Sequence, residues 1–414
     1  MLMIKLGLRN LTRHKKRAII TAIVISLAIF FYLIVDSLMF GLEDLSYNSI
    51  INLESGHLQL ANPEYWEERD RLPLENLMVL TPELEEKIRN IEGFAGLSEM
   101  IRFSARLNAW GDELPITAIG VEVEQYQQVF NTAEYLIEGS MFEADSYQAV
   151  LGQNLAELME LEIGDYIILL SRTVGGTFNT IDLEISGIVN TPNPGINSDM
   201  VFLPLSIAQN SLNLDNQITQ TAVRLDINRD RVPGLVENLN QELVGAGIEE
   251  RSFSWRDLAS HVIALSQAEQ VETIAILGII LLIAAVGIVN TTILAALERM
   301  EEIGMMKALG LKESEIIRAF MVEAAGVGII GGLIGWVMGA AGVYYLTTVG
   351  INFGDLMGDD ISLGLPIIDN IYGNWNFSAF IFVFAFGVLV AVLASIFPAR
   401  WAARKDPVKA IHHR

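Results

Sequence analysis

The sequence predicts an α-helical membrane protein with four transmembrane helices and a large α+β extracytoplasmic domain. Three observations carry that expectation: four long apolar stretches, one interval of ordinary soluble composition between the first two, and a strict sorting of basic residues. Mean hydropathy is +0.39 over 414 residues, and a hydrocarbon core ~30 Å thick needs about 20 apolar residues at the helical rise. Residues 18–35 are uncharged and run on past Asp36 to Phe40; 273–297, 324–354 and 370–399 are the other three stretches. A spanning backbone must satisfy its own polar groups, so each reads as a helix.

Orientation follows from the lysines and arginines. Of 27, 12 fall in residues 41–270, and the rest sort into three places: six in the first 17 residues, four between spans two and three (Arg299, Lys307, Lys312, Arg318), five in the last 15. The loop between spans three and four carries Asp355, Asp359, Asp360 and Asp369 and no base. The expected organisation is a cytoplasmic amphipathic helix (1–17), spans at 18–40, 271–297, 324–349 and 376–399, an extracytoplasmic domain (41–270), a cytoplasmic segment (298–323), an extracytoplasmic loop (350–375) and a cytoplasmic tail (400–414). Both termini are expected inside, in the inner membrane. The basic, then apolar, start outlasts a signal h-region and reads as an uncleaved anchor.

The outer domain holds 37 acidic against 12 basic residues, a net −25, while the remainder comes to +2. Such a charge argues against nucleic acid, whose phosphates need basic neutralisation; solubility in an ion-rich compartment accounts for it, with selection of a basic partner or cationic ligand as the alternative. Cysteine is absent, which excludes disulfides, thiolate metal sites, cysteine nucleophiles and lipid attachment at Cys.

Within the domain the expected strands are 56–60, 105–110, 114–121, 166–171, 181–189, 221–225 and 248–253, with helices at 81–91, 154–159 and 232–243. Thr81-Pro82-Glu83 is a helix opening, Gly111-Asp112 a hairpin turn, and the polar, proline-bearing 62–76 a loop. Strand–helix–strand units at both ends with strands between suggest one α+β domain with an inserted β-rich lobe. In span three, Gly331, Gly335 and Gly339 recur every four residues, a face for close helix packing inside one subunit, with a dimer seam as the alternative.

No catalytic or metal constellation emerges. The five histidines have no HExxH spacing, and no Gly-x-Ser-x-Gly or Gly-x-x-x-x-Gly-Lys-[Ser/Thr] string exists. The expectation is a non-enzymatic subunit with no cofactor and no metal. Asp36, Glu272 and Glu323 lie near span ends; interfacial depth accounts for them, with a proton or substrate pathway as the alternative. Trp255, Trp375 and Trp401 suit interface belts.

The most informative segment joins spans two and three: Glu298-Arg299, Glu302-Ile303-Gly304, Ala308-Leu309-Gly310, then Ile317, Phe320 and Glu323. The tail adds Phe397-Pro398-Ala399-Arg400, Ala402-Ala403, Asp406-Pro407 and Ala410-Ile411, and the start Gly7-Leu8-Arg9-Asn10-Leu11. Together these resemble the FtsX-like permease family of ABC transporters. The resemblance implies a MacB-like periplasmic core and a permease that works as a homo- or heterodimer with cytosolic ATPases, ATP being bound by that partner. It places ATPase coupling on Glu298, Arg299, Glu302, Ile303, Gly304, Met305, Met306, Lys307, Leu309 and Gly310, with Gly304 and Gly310 interrupting the helix. Four spans and about 230 outer residues are similar to the lipoprotein-releasing LolC/LolE group or a stand-alone MacB-like permease. It follows that the expected function is release of a lipoprotein or other amphiphile from the bilayer, with signalling to an outside enzyme or MacB-like efflux as alternatives. A periplasmic chaperone or adaptor is a further implied partner; the 172–180 turn, where a chaperone-capturing hook would sit, is short and proline-free.

Overall fold

The computed structural model of the protein describes residues 15–351 and 371–404. Residues 1–14 of the amphipathic helix expected over 1–17, most of the 350–375 loop and the tail beyond Arg404 lie outside these. The described residues form two compact units, one built from residues up to Glu43 and from Leu265 onward, the other from Asp44–Ala264.

Among the described residues the helices are, in chain order, α1 (Lys15–Ile50), α2 (Pro63–Glu68), α3 (Pro82–Arg89), α4 (Val123–Val129), α5 (Gln153–Leu158), α6 (Pro194–Asp199), α7 (Leu205–Leu212), α8 (Val232–Gly245), α9 (Trp255–Leu258), α10 (Ser260–Glu298), α11 (Met300–Ala308), α12 (Glu313–Thr348) and α13 (Phe377–Ala403). The strands are β1 (Leu58–Ala61), β2 (Phe94–Ala109), β3 (Asp112–Val121), β4 (Leu136–Gly139), β5 (Gln148–Gly152), β6 (Tyr166–Arg172), β7 (Phe178–Val189), β8 (Met200–Pro204), β9 (Gln220–Leu225) and β10 (Arg251–Ser254).

Among the described residues, helices α1, α10, α12 and α13 are four that are long and apolar enough to cross a membrane. Each extends beyond its apolar core at one end or both. α1 continues through Ile50 into a π-turn over Ile51–Ser55, and α12 begins eleven residues before the expected third span. Glycine explains how α1 and α12 pack. A methyl group on Gly331 would lie 2.7 Å from the carbonyl oxygen of Ala22, and one on Gly335 would lie 2.8 Å from Ile29 Cβ. Gly339 meets Leu33 the same way. The three glycines therefore form the face that α12 presents to α1 of the same chain.

The second unit is built on a single ten-stranded sheet in the order β10-β1-β9-β2-β3-β8-β5-β7-β4. Strand β6 bonds to both β2 and β7, so the path β2-β3-β8-β5-β7-β6 closes on itself. The inserted β-rich lobe is this closed ring, continuous with the outer strands rather than separate from them. Leu107, Leu169, Leu183, Ile185, Val201 and Leu203 are buried in one core cluster. Across the sheet, Tyr126 and Val129 of α4 join Met100, Ile119 and Phe202 in a second cluster.

Several expectations change. The segment 62–76 is not all loop: Asn62 caps α2, its side chain accepting from Glu64 N–H at 2.9 Å, and Pro63 sits at the first helical position. That places Tyr65 and Trp66 inward, Trp66 stacking on Phe253 at 3.9 Å. The hairpin strands are longer than the alternation suggests, β2 running 16 residues. Trp255 is not an interface residue; it is 2% exposed in the second unit's core beside Tyr47.

Candidate coupling site

Three spans meet around α11. α10 ends at Glu298, and Arg299 leaves helical geometry with φ −110° and ψ 18°. The chain then turns into α11, nine residues long, and a positive-φ residue, Gly310 (φ +94°), ends the turn that follows. α12 starts at once because Glu315 reaches back and accepts from Lys312 N–H at 2.9 Å, satisfying an orphan donor of the first turn. Gly304 does not interrupt anything: it sits mid-helix and buried, so only Gly310 is a breaker.

The inner face of α11 is held in two ways. Ile303 packs with Ala295, Ala296, Ile316, Phe320, Ala399, Ala402 and Ala403, and Met306 rests half-buried against them. Small alanines on α10 and α13 let the short helix approach closely. The second tie is polar. Arg299 is buried, and its Nη1 donates to Glu323 Oε2 on α12 at 3.1 Å. Nη2 of the same guanidinium is buried with no hydrogen-bond partner among the described residues, so the charge is answered by Glu323. Breaking a buried pair by removing one partner costs about 3–5 kcal/mol, because a buried charge is left uncompensated. Lys307 Nζ donates to the carbonyl oxygen of Ala403 at 2.8 Å, tying the end of α13, and lies 3.7 Å from Glu313.

The outer face is different. Met305 is 53% and Leu309 82% exposed, with Ala308 and Glu301 beside them. The ten residues assigned to coupling thus divide. Arg299, Ile303 and Gly304 are buried, Glu302, Met306 and Lys307 are half-buried, and Glu298, Met305, Leu309 and Gly310 are exposed. Ala308 and Glu323, both in the sequence motif, complete the site; the pairing of Glu323 with Arg299 follows only once α12 lies beside it. The 172–180 turn is a closed hairpin end: Thr173 N–H donates to Thr177 O at 2.7 Å, and Gly176 N–H to Thr173 O at 2.9 Å.

The profile of the MacB-like periplasmic core domain matches residues 18–235, more than half of the chain, and that of the FtsX-like permease C-terminal region matches 274–407. This chain belongs to the MacB-type, FtsX-like ABC transporter permeases. An uncharacterized ABC transporter permease of Methanocaldococcus jannaschii is 21% identical over 99% of this chain and 97% of its own length. The lipoprotein-releasing system transmembrane protein LolE of Haemophilus influenzae is 23% identical over 79% of this chain and 80% of LolE. The macrolide export ATP-binding/permease protein MacB of Pasteurella multocida is 26% identical over 56% of this chain, which spans 33% of that longer protein. Among solved structures, the periplasmic region of MacB from Actinobacillus actinomycetemcomitans aligns at 12% identity and a TM-score of 0.35, covering 50% of this chain and 91% of that one. An FtsX-like permease works within a transporter complex that includes an ABC ATPase, and the α10–α12 turn lies within the matched permease region.

Proposed function

We propose that this permease lies in the cytoplasmic membrane with both termini inside and docks an ABC ATPase, carried on a separate chain, against the outer face of α11. ATP-driven movement of that ATPase then shifts the extracytoplasmic domain and releases a lipoprotein or another amphiphile from the outer leaflet. A second copy or a related permease completes the complex. The observation that carries the reading is the two-sidedness of α11. Its inner face is fixed to three spans by an ion pair, a lysine–carbonyl bond and a small-residue cluster. Its outer face offers Met305 and Leu309 to solvent. An apolar helical face suits a groove in a partner, with the flexible methionine adapting to its shape. The match over most of LolE supports amphiphile release.

The test is recovery of the ATPase with the tagged permease at matched membrane expression. Met305→Glu and Leu309→Glu each bury a carboxylate in the contact, at a cost on the order of a few kcal/mol, and ATPase recovery falls sharply. Lys312→Glu, on an exposed residue outside the apolar face, leaves recovery unchanged. Full recovery with both α11 variants removes the docking surface from this helix.

A further inference from the structure

A second site lies at the other end of the helical unit. α13 begins at Phe377 and finishes beside α11, so its amino end marks the far side of the bundle. There α1, α10 and α13 line a half-open cavity of about 290 Å³. Its polar wall includes Asp36, Gln270 and Asn376, with a second acid, Glu43, further along α1, and its apolar wall includes Met39, Ile274 and Phe382. None of the described residues lining it is a lysine, arginine or histidine.

Asp36 is the unusual member. It lies in a helix apolar enough to span a membrane, where a carboxylate is costly and marks a functional position. Asn376 Nδ2 donates to its Oδ2 at 3.1 Å, and the hydroxyl of Tyr32 donates as well. These two donors hold the carboxylate in place without supplying positive charge. Alongside, Ser37 Oγ donates to Asn374 O at 3.0 Å, and Asn374 N–H donates to Ser37 O at 3.0 Å, so the loop entering α13 is fastened to α1 at the same level. The wall is therefore preformed. Met39, Ile274 and Phe382 are 37%, 51% and 44% exposed, which makes them the lip through which the cavity meets its surroundings.

We propose that this cavity is a binding site for the cationic head of an amphiphile, an alkylammonium group paired with Asp36, whose chain leaves over Met39, Ile274 and Phe382. The cavity volume lies at the small end for ligand sites, room for a head group rather than a whole lipid. The carboxylate selects positive charge, and the apolar lip selects a chain. This assignment deepens the amphiphile reading and rests on it for its biological meaning, yet it needs neither the ATPase nor the α11 surface.

The experiment is equilibrium dialysis of octyltrimethylammonium against the full chain in maltoside micelles, with empty micelles subtracted. Saturable one-site binding is expected. Asp36→Asn keeps an acceptor for Tyr32 and Asn376 but removes the charge, and weakens binding about tenfold, equivalent to roughly 1.4 kcal/mol. Gln270→Lys places a built-in ammonium in the cavity wall and weakens it similarly, which keeps the test decisive should Asp36→Asn misfold. Tetramethylammonium, the head without the chain, binds more weakly, and octyl sulfate shows no saturable binding. The assignment is overturned by absence of saturable octyltrimethylammonium binding to the wild-type chain, by unchanged affinity in both variants, or by equal binding of octyl sulfate. Because no ATPase is present, failure here leaves the α11 docking test standing, and failure of docking leaves this one standing.

Discussion

The imidazole of His57, at the entrance to β1, accepts from Leu225 N–H at its Nδ1 at 3.3 Å, which assigns the neutral tautomer with the proton on Nε2. Burial, and then the nearby Arg224, push its pKa down from 6.5 to about 4, with Asp226 opposing. A histidine held neutral in the folded state stabilises fully above its unfolded pKa of about 6.5. As pH falls below that value the unfolded chain binds the proton first, and stability drops until the folded pKa near 4 is reached. The shift corresponds to at most about 3 kcal/mol. Thermal unfolding of wild type and His57→Gln between pH 7 and 4 checks this, since the carboxylates common to both cancel. The wild type loses more stability than the variant over that window, and parallel profiles would contradict the assignment. Sequence spacing could only show that His57 belonged to no metal motif. Its burial required β9 to be laid beside β1. Arg299 is a similar case: its place in the motif was legible, but its partner Glu323 lies 24 positions away and meets it through the turn between helices.

At the scale of elements, packing of α12 on α1 is limited by backbone approach. Gly335→Ile adds a branched side chain where a single methyl would already sit 2.8 Å from Ile29 Cβ and 2.9 Å from Ser26 O. Overpacking of this kind costs about 1–3 kcal/mol. Gly278→Ile is the control, because nothing lies within 4 Å of the position its Cβ would take. The expected outcome is a lower thermal aggregation midpoint in detergent for Gly335→Ile and little change for Gly278→Ile. Equal midpoints would show that this face tolerates separation. The glycine spacing and long apolar runs made these helices legible, because periodicity over many residues is a strong signal. The short elements were not. β5 and β8 are buried on both sides as Gln148–Gly152 and Met200–Pro204, without alternation to mark them. α2, α4 and α7 are six to eight residues long, too short for a period to register. Local caps such as Asn62 decide them, and such signals also fit turns.

For the whole molecule, topology is open to a direct test because the native chain has no cysteine. Gly175→Cys sits on an exposed hairpin turn of the second unit, and Lys312→Cys is exposed beside α11. An impermeant maleimide added to intact cells or spheroplasts labels the first and not the second; labelling of Lys312→Cys from outside would invert the orientation. The four apolar spans and the place of the large non-apolar domain between the first two were legible in the sequence alone. Long apolar runs and the distribution of fixed charge act over whole segments, and they do not depend on which segments become neighbours. Tertiary structure decided the rest. It closed β6 onto β2 and β7, turned Met306 inward while leaving Met305 and Leu309 outward, paired Arg299 with Glu323, and brought Asp36 to Asn376 across 340 positions. Those outcomes depend on contacts between residues far apart in the chain, and local propensity carries no information about such partners.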